Sequence, residues 1–468
     1  MKKNTLFFVL LYICIIAFQK TCYGLDTAWA NQNLIEQKIE QQQHLEFDLE
    51  QRNIIFQDEG YFYMRRIDFK ESQGNYYTSF SIPGTTGTLT YFDTDKNKVT
   101  IPLVDGPLPL DVLLIIETPE HHMILGQAYQ YRDLGRGTKQ SYTTDTLPIY
   151  IEQRDGYWEV IYRYKYIEGN HGILWGIGSN QPFFDLTNEA QATLWSVYDV
   201  TQSARLAEDG YYYKSPNSYI PTHKDAFWRN PSMYLATSFI KTGGSKAADM
   251  IGQSLLLIAT ENLEEEGYFK TLPESSWLKN DYDIDHGFFD TRFNGDIGDT
   301  YLEAYKKFGN PIYREMYLKM GEYYLNHVKT KKFVNWSVLG EEGWLVQDYH
   351  HEQGAKPNHS SLNHQLHAIN WFLRIYEVEQ DLRYEQAARK MIQGIKNIRD
   401  RWIMPDGNLE YAYMPDDTMG LVDYPYLTYN DLLATQKILF RIDGEIDSDL
   451  EILVQSKKEW MDRNHIQY

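Results

Sequence analysis

Between Gly60 and about Val200 apolar and polar residues alternate in short runs, among them Tyr61–Met64, Tyr76–Ile82, Thr88–Phe92, Val112–Glu117, Leu147–Gln153 and Tyr157–Ile167. A two-residue period places every second side chain on one face, so these runs predict half-buried strands, and Pro83-Gly84 and Asp155-Gly156 between them predict tight turns. An antiparallel sheet, as a sandwich or a curved sheet, follows. From about Ala204 the apolar spacing lengthens to that of a helix, near 231–242, 245–262, 297–308, 311–329, 361–377, 381–400, 427–441 and 447–462. The run Tyr305–Tyr313 is echoed by Tyr376–Tyr384, each closing one helix and opening the next. Repeated helix hairpins of this kind build an α/α toroid. Upstream, residues 25–59 shift to Gln and Glu with Leu34, Ile35 and Ile39 at helical spacing, which predicts a helical spacer. The expected fold class is therefore α+β multidomain: residues 60–203 an amino-terminal antiparallel β-sheet or sandwich domain, 204–468 an incomplete α/α toroid that carries the catalytic site.

At 468 residues with 43% hydrophobic and 24% charged side chains, the chain is long enough for two folded units of ordinary composition. Residues 1–24 read as a signal peptide: Met1-Lys2-Lys3, an apolar run from Leu6 to Phe18, then Cys22-Tyr23-Gly24. The run is short for a membrane span, and retained uncleaved it would serve as an amino-terminal anchor. Secretion or display at the cell surface is the expected location. Both cysteines, Cys14 and Cys22, fall in this segment, so a processed chain has no thiol for a disulfide or metal. The formal charge is −20, and loss of Lys2, Lys3 and Lys20 makes it more negative still. That balance argues against nucleic acid as a partner, and an anionic polymer needs a local cationic groove.

Two stretches put a tyrosine beside a carboxylate on a loop that feeds a helix. The first runs from Glu341-Glu342-Gly343-Trp344 to Gln347-Asp348-Tyr349, with Ser360-Ser361-Leu362-Asn363 opening the next helix; the second is Asp423-Tyr424, with Asn430 behind it. Together with Asp406–Tyr413 they resemble the carboxy-terminal region of the glucuronyl C5-epimerases, over roughly residues 285–440. The match departs from the family pattern at Gln347, Asp348 and His350. The resemblance implies an enzyme that inverts carbon 5 of glucuronic acid within a polysaccharide, as a homodimer and with no cofactor. It implies Tyr349 and Tyr424 as the flanking proton-handling pair, Asp348 as hydrogen-bond partner to one of them or to substrate, and Tyr411 as a third candidate. Tyr411 and Tyr413 lie on one strand, where only one can point inward.

Removing the proton next to a charged carboxylate requires that charge to be neutralised as the carbanion forms, and two proton-handling groups must flank the ring. Arg292 and Arg229, each on a loop before a helix, are candidates to clamp the carboxylate; the bland alternative for Arg292 is an ion pair with Asp290 or Asp296. Asn363 and Asn430 stand at helix starts, where they either cap backbone donors or contact substrate. Asn97 and its neighbours Asp93 and Asp95 begin like a calcium loop but lack its glycine and terminal glutamate, and read as a turn. The histidines at 350, 351, 359, 364 and 367 lack a recognised zinc spacing, so no metal is expected. The same site could instead serve a polysaccharide lyase, a glycoside hydrolase using carboxylates from Asp348, Asp423, Glu341 and Glu410, or a carbohydrate-binding protein without catalysis.

Overall fold

The strand Tyr157–Lys165 buries every second residue, the alternation its sequence predicts, and pairs along its whole length with Asn75–Pro83. A computed structural model of the protein describes residues 34–57, 59–142, 147–200 and 204–468; the segment 1–24, expected to be a signal peptide, lies outside them. By internal contacts the chain divides into two units. One comprises the residues up to Asn262 with Glu303–Asn310, the other Leu263–Leu302 and Pro311–Tyr468.

The first unit holds a large antiparallel sheet and a four-stranded one. The large sheet is organised around Asn170–Ser179, which pairs with Tyr61–Phe69 on one side and with Tyr129–Gly135 and His122–Leu125 on the other. Side chains from both sheets, such as Tyr63 and Ile67 from one and Val160 and Tyr162 from the other, share one core. Asp93 accepts from the backbone of Asp95 and Asn97, so that segment is the strand-connecting turn its spacing suggests.

The helical spacer expected over 25–59 is not what its described residues form. Leu34–Gln43 and Phe47–Phe56 are antiparallel strands, and the second adds to the edge strand Tyr61–Phe69. Ile54 and Phe56 on alternate positions enter the core, and buried Arg52 pairs with Glu261 through both guanidinium nitrogens. A waiting sheet edge supplies backbone partners and an apolar face, and this outweighs the helix preference of Gln and Glu.

From Thr291 onward the chain forms three helix hairpins. These are α1 (Thr291–Phe308) with α2 (Pro311–Thr330), α3 (Leu362–Glu379) with α4 (Leu382–Asn397), and α5 (Leu427–Asp443) with α6 (Ser448–Arg463). Each turn contains a left-handed residue, Gly309, Gln380 or Gly444, that stops the first helix. Asp381 and Asp447 then cap α4 and α6 by accepting from their first amides. The first helices lie side by side: Arg374 of α3 pairs with Asp299 of α1, and Asn370 of α3 donates to the Asp431 carbonyl of α5. Helix α3 is buried nearly all round, whereas α4 buries only the stripe Tyr384, Ala387, Ala388, Met391, Ile392, Gly394 and Ile395. An inner and an outer helix in each hairpin is the α/α arrangement that the sequence echo predicts. No helix among the described residues is long and apolar enough to cross a membrane.

The Gly343-Trp344 pair singled out in the sequence serves packing. It lies on the strand Glu342–Val346, whose backbone meets α4 at Gly394, and a Cβ on Gly394 would stand 2.2 Å from the Trp344 carbonyl oxygen. Gly→Ala inside a helix normally stabilises by about 1 kcal/mol. Here Gly394→Ala is expected to lower stability instead, by about 1–3 kcal/mol or more from forced separation of two backbones, read from urea or thermal unfolding.

Candidate active site

The loops that precede α1, α3 and α5 come together. Ahead of α1, the two-residue strand Phe289–Asp290 pairs with Tyr349-His350, with Asp290 opposite Tyr349. Ahead of α3, Ser360-Ser361 pairs with Tyr413 and Ala412, and the strand Glu410–Tyr413 pairs in turn with Met419–Val422, which leads into Asp423-Tyr424. The result is a row of rings: Tyr349 lies 5.7 Å from His359, His359 lies 5.9 Å from Tyr411, and Tyr411 lies 5.8 Å from Tyr424, centroid to centroid. Residues two apart on a strand share a face, so alternation does not separate Tyr411 from Tyr413 as expected; Tyr413 instead differs in its partners, packing against Phe333 and the Arg401 guanidinium.

The three phenols differ in their surroundings. Tyr349 is buried, 8% exposed. Tyr424 is 47% exposed. Burial raises all three phenols above the ordinary tyrosine range, Tyr349 and Tyr411 strongly. Around Tyr349 and Tyr411 the neighbouring charges, Asp290 and Asp348, raise them further. At Tyr424 the Arg292 guanidinium works against burial and favours the phenolate, while Asp423, Asp290 and Asp348 raise the phenol.

Asp348 is fully buried. Its Oδ1 accepts from the Ser361 amide at 2.9 Å, its Oδ2 from the Ser361 hydroxyl, and His359 Nε2 and His364 Nδ1 lie 3.3 and 3.6 Å from Oδ2. Burial would raise this carboxyl, but His364, His359 and Ser361 outweigh it and hold it below the usual range. Asp348 thus holds Ser361 at the start of α3 and lies against two histidines, and none of its side-chain hydrogen bonds among the described residues is to a tyrosine. His359 also shares a 2.9 Å hydrogen bond with the Tyr282 hydroxyl, and His364 one of 2.8 Å with Thr291. Burial lowers His364 to about 4, so it is neutral at pH 7.

Arg292 sits inside the cluster rather than at the surface. Its Nη1 donates to Asp431 Oδ2 at 2.6 Å and its Nε lies 3.5 Å from Asp296. Neither asparagine caps its helix: Ser361 and Tyr426 hold the cap positions, while Asn363 accepts from Arg292 through its backbone carbonyl and Asn430 bonds the Tyr426 carbonyl through its backbone amide. The Asn363 Oδ1 and Asn430 Nδ2 atoms are both buried without a protein partner. Arg229 belongs to the first unit, where its guanidinium engages Asn262 and lies 3.8 Å from Asp209.

Two residues that the sequence reading left without a role shape the site. Lys457 of α6 is completely buried and spends its three donors on Asp423 Oδ2 at 2.7 Å, Asn408 Oδ1 at 2.6 Å and the Tyr424 carbonyl at 2.8 Å. Its signal is a lysine standing on the apolar stripe Leu450, Leu453, Val454 and Met461. The second is Asp290, whose Oδ1 accepts from the Phe293 amide at 3.0 Å in the first turn of α1. Burial, reinforced by Asp348 and Asp296, pushes its carboxyl up to about 7.

A carboxyl raised from about 3.9 to about 7 on folding keeps its proton in the native state while the unfolded chain loses it. Stability therefore falls as pH rises from 4 to about 7 and is level above. His364 and His327, held neutral by burial near 4 and 3, act in the opposite sense below their ordinary range. The difference between wild type and Asp290→Asn isolates the carboxyl: the variant is expected to gain, relative to wild type, a few kcal/mol between pH 4 and 7, measured by urea unfolding. A parallel pair of curves refutes it.

No protein-family model matches the sequence, and no curated protein matches it either. Among solved structures the chain is similar to a D-mannose isomerase, at TM-score 0.42 and 13% identity over 58% of this chain and 68% of that one. It is also similar to the cellobiose 2-epimerase of Bacillus thermoamylovorans B4167, at TM-score 0.40 and 12% identity over 59% of this chain and 71% of that one. A third is a family 76 glycoside hydrolase from a bovine Bacteroides thetaiotaomicron strain, at TM-score 0.39 and 10% identity over 92% of this chain and 78% of that one. At this level of similarity the chemistry of the site has to come from its own side chains.

Proposed function

We propose that the protein is an epimerase that inverts carbon 5 of glucuronic acid residues within a polysaccharide. The observation that carries this reading is the meeting of Tyr349, Tyr411 and Tyr424, brought by separate loops into one row of rings. Tyr424 is the base: it is the phenol on which burial is opposed by a guanidinium, that of Arg292. The C5–H bond breaks toward Tyr424 and its electron pair moves into the carboxylate as an enediolate. Tyr349, kept protonated by burial and by its acidic neighbours, then delivers a proton to the opposite face of C5. The starts of α1, α3 and α5 lie at this cluster, and helix N-termini favour the developing negative charge. A dimer and an extracytoplasmic location belong to the same proposal.

A glycoside hydrolase is less well supported. It needs two carboxyl groups free to flank a glycosidic bond, and Asp348 and Asp423 are both buried and bonded within the protein. Incubation with a glucuronate-containing polymer in heavy water separates the outcomes. Deuterium at carbon 5 without chain shortening supports epimerisation. Growth of unsaturated-uronate absorbance would make the enzyme a lyase, and new reducing ends without it a hydrolase.

A further inference from the structure

We infer that Trp277 forms a stacking platform for the sugar ring next to the one held at the tyrosines, an inference that takes its ligand class from the epimerase reading. Trp277 lies on the short helix Ser276–Tyr282, at the Tyr349 end of the aromatic row. His359 lies against the indole at 5.4 Å with an interplanar angle of 34°, while Tyr349 meets it edge-on at 6.3 Å and 89°. These rings fix the orientation of the indole from within the protein. Even so, Trp277 stays 37% exposed, and among the described residues its N–H has no protein acceptor.

That combination is unusual for a tryptophan whose work is packing, because a buried indole normally closes its surface and finds an acceptor for its N–H. It suits a pyranose ring, which presents an apolar C–H face to the aromatic surface and hydroxyls at the rim for the indole donor. A substrate residue inside a polymer always has neighbours. A ring at the tyrosines therefore places an adjoining ring beyond Tyr349, where Trp277 is exposed. At the far end of the row Tyr424 is itself half-exposed, so the polymer has an open path on that side as well.

The test is titration calorimetry of wild type and Trp277→Ala with a glucuronate-containing octasaccharide and with free glucuronic acid. The octasaccharide is expected to bind about ten-fold more weakly to the variant, the scale of one lost aromatic contact, with free glucuronic acid unaffected. Trp277→Phe should recover part of the loss. Equal octasaccharide affinity in Trp277→Ala overturns the platform. So does an equal loss for the monosaccharide, which would mean that the indole only supports the tyrosines, and so does a wild type that fails to bind the octasaccharide. Because Trp277 touches His359 and Tyr282, melting temperatures accompany each variant, and Trp277→Phe carries the test if the alanine variant unfolds. Trp277-dependent binding in a wild type that shows no deuterium incorporation would leave the platform standing and sink the epimerase.

Discussion

Tyr424→Phe is expected to lower deuterium incorporation at carbon 5 of glucuronate by about 10²–10⁴-fold, the usual contribution of a positioned general base. The substitution removes one oxygen and leaves the ring against Tyr411, and the loop stays held through its backbone carbonyl by Lys457. Polymer affinity should therefore change little, so that the loss falls on kcat. The companion variant Tyr349→Phe has a different signature. It keeps the base, so the C5 proton of glucuronate still leaves and returns as deuterium to the same face. Exchange without inversion is the expected result. Mass spectrometry measures the label and proton NMR the configuration. Retained exchange in Tyr424→Phe removes that residue from the mechanism, and retained inversion in Tyr349→Phe removes its partner.

The two variants probe residues that local pattern made visible. Tyr349 and Tyr424 each stand beside an acid ahead of an apolar helix, whereas the choice between Tyr411 and Tyr413, two residues apart on one strand, rests on tertiary partners: Tyr411 packs on His359 and Tyr413 on Phe333. The helix hairpins were legible because period and turn chemistry are both local. What sequence did not yield depends on distant partners. Sequence proximity suggested Asp290 or Asp296 as the counterion of Arg292, and Asp296 does lie at 3.5 Å, but the nearer partner at 2.6 Å is Asp431, 139 residues away. The partners that enclose Asp348, Ser361, His359 and His364, are likewise not visible from the Asp348-Tyr349 pair itself. Residues 34–56 have a helix-favouring composition yet form strands, because their pairing edge at Tyr61–Phe69 is a tertiary feature that composition does not carry.

Lys457→Met is expected to destabilise the helical unit by about 3–5 kcal/mol, the scale for removing one member of a buried ion pair. The methionine matches the lysine stem, so little volume is lost. The Asp423 carboxylate, however, keeps only the Thr428 hydroxyl as a side-chain donor and is left charged without a counterion. Burial already raises this carboxyl and lowers the lysine, each opposed by the other, so losing the lysine pushes Asp423 further toward its neutral form. The double variant Lys457→Met with Asp423→Asn removes both charges and should recover most of the stability, since an uncharged pair of similar shape avoids the desolvation cost. Catalysis should not recover with it. The Tyr424 carbonyl and Asn408 lose the same donor in both variants, which frees the loop that aims the phenol. A double variant that melts near wild type yet exchanges deuterium slowly, with polymer affinity little changed, is the outcome that assigns Lys457 to positioning Tyr424. Full recovery of both stability and exchange would reduce Lys457 to a counterion for Asp423.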